Sequence, residues 1–172
     1  LRDAGFEAYL VGGCVRDMAI GRKPKDWDVT TDAKPEQIQG LFTETFYENE
    51  YGTVGVVNEN EIDETLKIIE VTPYRIEANY SDFRRPDEVK FSGKLEDDLS
   101  RRDFTINAIA FSVSKGQIID PYKGRDDIKD KIIRAVGEPE NRFNEDALRI
   151  LRAVRLATEL CFKIEEKTEK SI

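Results

Sequence analysis

The 172-residue sequence contains no histidine. That absence removes Ser–His and Cys–His nucleophilic pairs, and with them histidine-ligated zinc. It leaves carboxylates, basic groups and an oxygen-liganded cation such as Mg²⁺ to carry any chemistry. Cysteine is scarce: Cys14 and Cys161 stand far apart, which suits a reduced, cytoplasmic chain better than a disulfide-stapled secreted one. No apolar run approaches the roughly eighteen residues that cross a bilayer, and no signal peptide is visible, so no membrane partner is expected. Positive charge is missing from one whole stretch, since residues 35 to 66 hold eight acids and no Lys or Arg. The acids outside that stretch balance the 27 Lys and Arg, so the net charge of −8 is local. Global acidity then argues neither for nor against an RNA partner, and the acidic stretch reads as a solvated face turned away from any RNA. The length allows one domain with an extension or two small ones, and 39% hydrophobic residues suffice for a core.

What is present is organised around Leu10 to Thr31, LVGGCVRDMAIGRKPKDWDVTT. Tyr9-Leu10-Val11 reads as a strand entering a turn at Gly12-Gly13, where glycine permits positive φ and close approach of a ligand. Cys14 to Ile20 reads as a short helix stopped by Gly21. A basic loop, Arg22 to Lys25, leads into Asp26-Trp27-Asp28-Val29-Thr30. That segment alternates like a strand, so Asp26 and Asp28 are expected on one face. Taken singly, Gly-Gly is a turn and Asp-x-Asp a solvated strand edge. Together and in this order they point to a nucleoside triphosphate site: amides and Arg16 for phosphate oxygens, and two carboxylates for a pair of Mg²⁺ ions roughly 3.5–4 Å apart.

This arrangement resembles the start of the nucleotidyltransferase domain of the DNA polymerase beta superfamily. More narrowly, it resembles motif A of class II tRNA nucleotidyltransferases, the CCA-adding enzymes, and of bacterial poly(A) polymerases. The resemblance implies that Asp26 and Asp28 hold metal and act in catalysis, while Gly12, Gly13 and Arg16 hold the triphosphate. Glu70 interrupts the apolar run Leu66 to Thr72, LKIIEVT, which pairs in a hairpin with the strand read over Tyr51 to Val57. It is either an exposed strand residue or, as the resemblance implies, the third metal carboxylate.

Tyr74 to Lys90 is polar and mixed in charge with no clear period, and reads as a mobile loop. Its cluster Asp82-Phe83-Arg84-Arg85-Pro86 resembles the flexible-loop signature of CCA-adding enzymes. LEDDLSRRDFTINAIAF, Leu95 to Phe111, resembles the family's motif B, which implies ribose contacts from Arg102, Asp103 and Asn107. IIDPYKG, Ile118 to Gly124, resembles motif C. From Asn144, an N-cap candidate, NEDALRILRAVRLATEL reads as one helix burying Ala147, Ile150, Leu151, Val154 and Thr158.

Asp146, Arg149 and Arg152 share another face of that helix, where a plain i,i+3 ion pair is the simplest reading. The match of Glu145-Asp146-x-x-Arg149 to the family's motif D implies instead a template made of amino acids. Cytosine and adenine each present an amino donor beside a ring-nitrogen acceptor. A carboxylate only accepts and a guanidinium only donates, so Asp146 with Arg149 pairs with C and A and is mispaired against U and G.

The resemblance runs through four motifs in order. It implies an α+β fold: a head with a five-stranded mixed or antiparallel sheet over residues 1–137, then the start of an all-α neck over 138–172, in a chain that is a fragment. It implies Mg²⁺-dependent addition of C, C and A to the tRNA 3′ end from CTP and ATP. Three alternatives stand beside it. A bacterial poly(A) polymerase would carry paired basic residues where Leu41 to Val57 is acidic. A partial, A-adding or CC-adding, enzyme of the CC type tends to lack the loop. A non-catalytic nucleotide-binding module would lose the metal carboxylates.

Overall fold

The computed structural model describes residues 1–48, 51–78, 80, 83–84 and 86–172. A 3₁₀ turn at Arg2–Ala4 is closed by Gly5, and β1 (Ala8–Val11) follows. Then come α1 (Gly13–Ala19), β2 (Asp28–Thr31), α2 (Pro35–Leu41), β3 (Thr45–Tyr47), β4 (Val54–Val57) and β5 (Ile68–Pro73). The second half holds β6 (Arg75–Ala78), β7 (Glu88–Phe91), α3 (Leu95–Ser100), β8 (Ala110–Ser112), β9 (Gln117–Ile119) and α4 (Gly124–Asp130). β10 (Ile132–Ile133), α5 (Pro139–Glu145), α6 (Leu148–Leu160), β11 (Lys163–Ile164) and α7 (Glu166–Glu169) close the chain.

The class is α+β, but the main sheet has seven strands rather than five, in the order β3-β4-β5-β2-β1-β8-β9. The short edge strands β3 and β9, three residues each, make up the difference; so short a run carries little periodicity to read. All neighbours in the sheet are antiparallel except β2 and β5. That parallel pair sets Asp28 directly beside Glu70, with both side chains on the same face.

Each face of the sheet has its own packing. Val54, Val56 and Val71 pack with Ile38 of α2, while Cys14 and Val15 of α1 pack with Ile109. Val11 and Ala110 pack with Leu95 and Leu99 of α3 and with Tyr74. A further cluster joins Phe104, Ile106 and Ile133 to Phe143, Ala153, Leu156 and Leu160. Among the described residues no helix is long and apolar enough to cross a membrane.

Several local expectations are corrected. Tyr74 to Lys90 is not an unpaired loop, since its ends form the antiparallel ribbon β6–β7, Arg75 opposite Phe91. Each ribbon strand is only four residues long, Arg-Ile-Glu-Ala and Glu-Val-Lys-Phe, and so short an alternation is easily passed over inside a polar stretch. Asn144 caps no helix; it lies inside α5, which starts at Pro139, and the backbone breaks at Asp146 before α6 begins at Leu148. The buried stripe of α6 is Arg149, Ala153, Leu156 and Leu160, whereas Leu151 and Val154 are 65% and 50% exposed. The charged Arg149 belongs to the buried face because its guanidinium is paired, and a hydrophobicity count reads past such a residue. Lys34 is the N-cap of α2, and the Thr31 and Asp32 side chains before it bond to the backbone of Glu7.

Candidate active site

The cavity of about 570 Å³ between the sheet and α6 is lined by residues from motifs nearly 150 positions apart. Gly12 opens it. Its φ of +78° lies in the region where side chains are strained, and a Cβ there would come within 2.9 Å of Arg102 Nη1 and 3.5 Å of Asp28 Oδ2. Its own amide donates to the Ile109 carbonyl, 3.3 Å away. Gly12 therefore contributes space and backbone direction rather than its N–H.

Asp26 and Asp28 both line the cavity, but they reach it differently. Asp28 is the first residue of β2 and is fixed by register against Glu70; Asp26 lies in the bend before the strand, not in it as the alternation suggested. Burial pushes the Asp28 carboxyl above its ordinary value, with Asp26 adding to the rise and Arg102 opposing it. The Glu70 carboxyl is pushed up by burial and by the negative charges of Asp28, Glu48 and Asp26. Glu70 is thus in the electrostatic field of the pair, although it does not line the cavity.

On the opposite wall the charges are already paired. Asp103 accepts from the Phe104 amide at 2.8 Å, from Asn107 Nδ2 at 3.1 Å and from Arg152 Nε at 2.7 Å. Burial alone would raise its pKa, but Arg152 and these hydrogen bonds outweigh it and hold the carboxyl below its ordinary value. Asn107 Oδ1 in turn accepts from Arg16 Nη1 at 2.8 Å, and the other nitrogens of Arg16 reach Asp17 Oδ1 at 2.7 and 2.9 Å. The groups expected at the triphosphate and at the ribose are therefore one continuous polar chain, Asp17–Arg16–Asn107–Asp103–Arg152.

The residues expected to read the base meet at the α5–α6 break. Arg149 is 7% exposed and donates to Glu145 Oε2 at 3.1 Å and to the Arg101 carbonyl at 3.3 Å. Asp146 Oδ1 accepts the Leu148 amide at 2.9 Å, and Asp146 and Arg149 both face the cavity. Of the loop cluster, Asp82 and Arg85 lie outside the described residues. Phe83 has a φ of 55° and is 58% exposed, and its carbonyl accepts the Ala147 amide at 2.9 Å, beside Asp146. Of the described residues of the cluster, Phe83, Arg84 and Pro86, none lines the cavity.

Sequence reasoning passed over several residues. Asp98 is fully buried on α3 and holds Arg101 Nη2 at 2.6 Å and Arg102 Nη2 at 2.9 Å. Its i,i+3 and i,i+4 spacing to the two arginines was the available signal. Lys25, Arg155 and Glu159 line the cavity as an ion-pair group, Lys25 Nζ 3.0 Å from Glu159 Oε1. Nothing local in the sequence links positions so far apart.

The comparisons with known proteins agree in kind. A family model described as Poly A polymerase head domain matches residues 8–134. The chain is 50% identical to a CCA-adding enzyme of Lactobacillus helveticus and 49% identical to one of Bacillus subtilis, in each case over 100% of this chain and 42% of that protein. The chain thus spans less than half the length of these curated relatives. Among solved structures, the Bacillus stearothermophilus CCA-adding enzyme in complex with CTP superposes with a TM-score of 0.88 at 43% identity, over 100% of this chain and 40% of that one. A tRNA nucleotidyltransferase complexed with a primer tRNA and an incoming ATP analog superposes with a TM-score of 0.75 at 32% identity, over 99% and 46%.

Proposed function

Because the chain belongs to the Poly A polymerase head domain family, we propose that it is the nucleotide-binding and catalytic part of a CCA-adding tRNA nucleotidyltransferase. The reaction joins the primer's 3′-oxygen to the α-phosphorus of CTP or ATP and releases pyrophosphate. The observation that carries this reading is the cavity itself, where two carboxylates, a glycine-made opening and an Asp–Arg pair face one space. The domain division at residue 137, the tRNA partner and a cytoplasmic location belong to the same reading.

The donor set fits Mg²⁺. Asp26 and Asp28 offer hard carboxylate oxygens, and the one nearby thiol, Cys14, is buried with its sulfur on the Val11 carbonyl. Among the described residues no three acidic, His or Cys side chains form a ready-made cage, which suits an ion that keeps water and takes phosphate oxygens. Asp26 and Asp28 would hold it, with Glu70 behind them, and when bound it polarises the α-phosphate and lowers the pKa of the attacking hydroxyl.

The chain's own groups do the rest. The turn after Gly12 and the guanidinium of Arg16 hold the triphosphate. Asp103 and Asn107, locked by Arg152 and Arg16, receive the ribose beside Arg102. Whichever of Asp26 and Asp28 lies nearer the primer takes the proton of its 3′-hydroxyl. Asp146 and Arg149 accept the pairing edges of C and A, with Glu145 holding Arg149 and Arg152 holding Asp103. Phe83, whose carbonyl holds the Ala147 amide, is the contact through which the loop readjusts Asp146 when A follows C.

The test is incorporation. tRNA ending at the discriminator base is offered with each nucleotide alone and with CTP plus ATP. The proposal requires CC from CTP alone, CCA from the mixture, and nothing from UTP or GTP. A product of repeated A from ATP alone would move the chain to the poly(A) polymerases.

A further inference from the structure

Asp26 has no place in the sheet, yet it must hold a fixed position if it is to share a metal with Asp28. Lys25 before it pairs with Glu159 of α6, and the side chains of Trp27 and Lys23 are both held by one short turn. On the C-terminal side, the Trp27 indole Nε1 donates to Thr65 Oγ1 at 3.2 Å, and the Trp27 carbonyl accepts the Glu70 amide at 3.1 Å. On the N-terminal side, Lys23 Nζ lies 2.7 Å from Asp63 Oδ2. The two anchors are one unit. Thr65 donates its hydroxyl proton to Asp63 Oδ1 at 2.8 Å and its amide to the same oxygen at 3.0 Å, capping the 3₁₀ turn Glu64–Leu66. The Trp27 ring packs against the Cys14, Val15 and Ile109 cluster, leaving its nitrogen to find Thr65.

We propose that the Asp63–Thr65 turn is a positioning device for Asp26. It closes the loop from Lys23 to Trp27 from outside the cavity and so sets the distance between Asp26 and Asp28. Asp28 owes its place to register with Glu70, so loosening the turn frees Asp26 and leaves Asp28 where it is. This rests on the reading of Asp26 and Asp28 as metal carboxylates.

Trp27 is the only tryptophan in the chain, and it sits between the two carboxylates. Its fluorescence gives a readout of metal binding that needs no turnover. Mg²⁺ titrations in the presence of CTP are compared for wild type, Thr65→Val, Thr65→Ser, Lys23→Ala and Asp28→Asn, with circular dichroism confirming the fold of each. Thr65→Val should shift the Mg²⁺ midpoint upward about three- to tenfold, the range expected for one hydrogen bond, with Thr65→Ser restoring it. Lys23→Ala, an exposed side chain whose loss spares the core, should shift it in the same direction by less. The CTP midpoint measured without Mg²⁺ should not move.

A wild-type midpoint kept by both Thr65→Val and Lys23→Ala overturns the positioning role. So does a Thr65→Val loss that Thr65→Ser fails to restore, because that marks packing rather than the hydroxyl. Failure of the underlying reading looks different: wild type and Asp28→Asn would give the same titration, and the positioning proposal would fall with it.

Discussion

Two pairs of carboxylates, one member of each lining the cavity, are shifted in opposite directions. Asp28 and Glu70, on the sheet, are pushed up by burial first, with Asp26 adding to the rise of Asp28 and with Asp28, Glu48 and Asp26 adding to that of Glu70. Asp103 and Asp98 on the other wall are just as dry, but their arginine partners hold them down. A buried carboxylate held by an arginine keeps its charge, whereas one without enough positive charge beside it is pushed toward the protonated form. Each prediction below presses on that contrast.

The largest effect is expected at the sheet. Asp28→Ala should cut CTP incorporation about a thousandfold, because several kcal/mol of stabilisation of the developing charge is lost. CTP binding measured by calorimetry without metal should largely survive. Near-normal kcat in this variant would return Asp28 to a strand-end carboxylate.

Arg149→Ala acts on the other wall and should alter choice more than rate. The expected loss of discrimination for CTP and ATP against UTP and GTP is about 1–3 kcal/mol, the scale of one bidentate contact. It is read from kcat/KM for all four nucleotides, and a uniform fall with constant ratios would make the pair with Glu145 purely structural.

Gly12→Ala comes next. The alanine must hold a φ of +78° with its Cβ against Arg102, a strain of about 1–3 kcal/mol. The flexible guanidinium can move aside, so the expected outcome is a lower melting temperature with CTP affinity reduced about tenfold. Unchanged affinity would detach the turn from the triphosphate.

The smallest effect is a difference in pH dependence. Asp28 and Glu70 bind protons more tightly folded than unfolded. Between the ordinary carboxylate range and their raised values, the folded state holds more protons, so their contribution to stability falls as pH rises. Asp103 and Asp98 behave oppositely: their contribution is present above the ordinary range and is lost as pH falls through their lowered values. Melting curves across the acidic range should therefore separate Asp28→Asn, which removes a loss on the alkaline side, from Asp103→Asn, which removes a gain. The stabilisation conferred by Mg²⁺ with CTP should grow as pH rises through the Asp28 window.

The same contrast explains what the sequence made legible. The sheet wall is built by local rules: a Gly-Gly turn, a short helix, a strand beginning at Asp28. These leave signatures within about twenty residues, and the structure has the turn and the helix where they were read, with the strand starting two residues later, at Asp28. The opposite wall is built by polar contacts over long separations, the Arg16–Asn107 hydrogen bond and the Arg152–Asp103 ion pair, which no window can contain. The family resemblance named those residues, but the bonds among them appear only in the fold. The misread stripe of α6 has the same origin. Arg149 is buried because Glu145 and the Arg101 carbonyl receive it, while Leu151 and Val154, which look like core, face outward.

Phe104, Ile106 and Ile133 come from before Gly137 and Phe143, Ala153, Leu156 and Leu160 from after it, yet they form one cluster. In hydrogen exchange, β10 and α6 should then lose protection together as one cooperative unit, while the ribbon β6–β7, a sheet of its own, opens earlier and independently. The base-reading wall cannot drift away by degrees. It stays docked or departs with that whole unit.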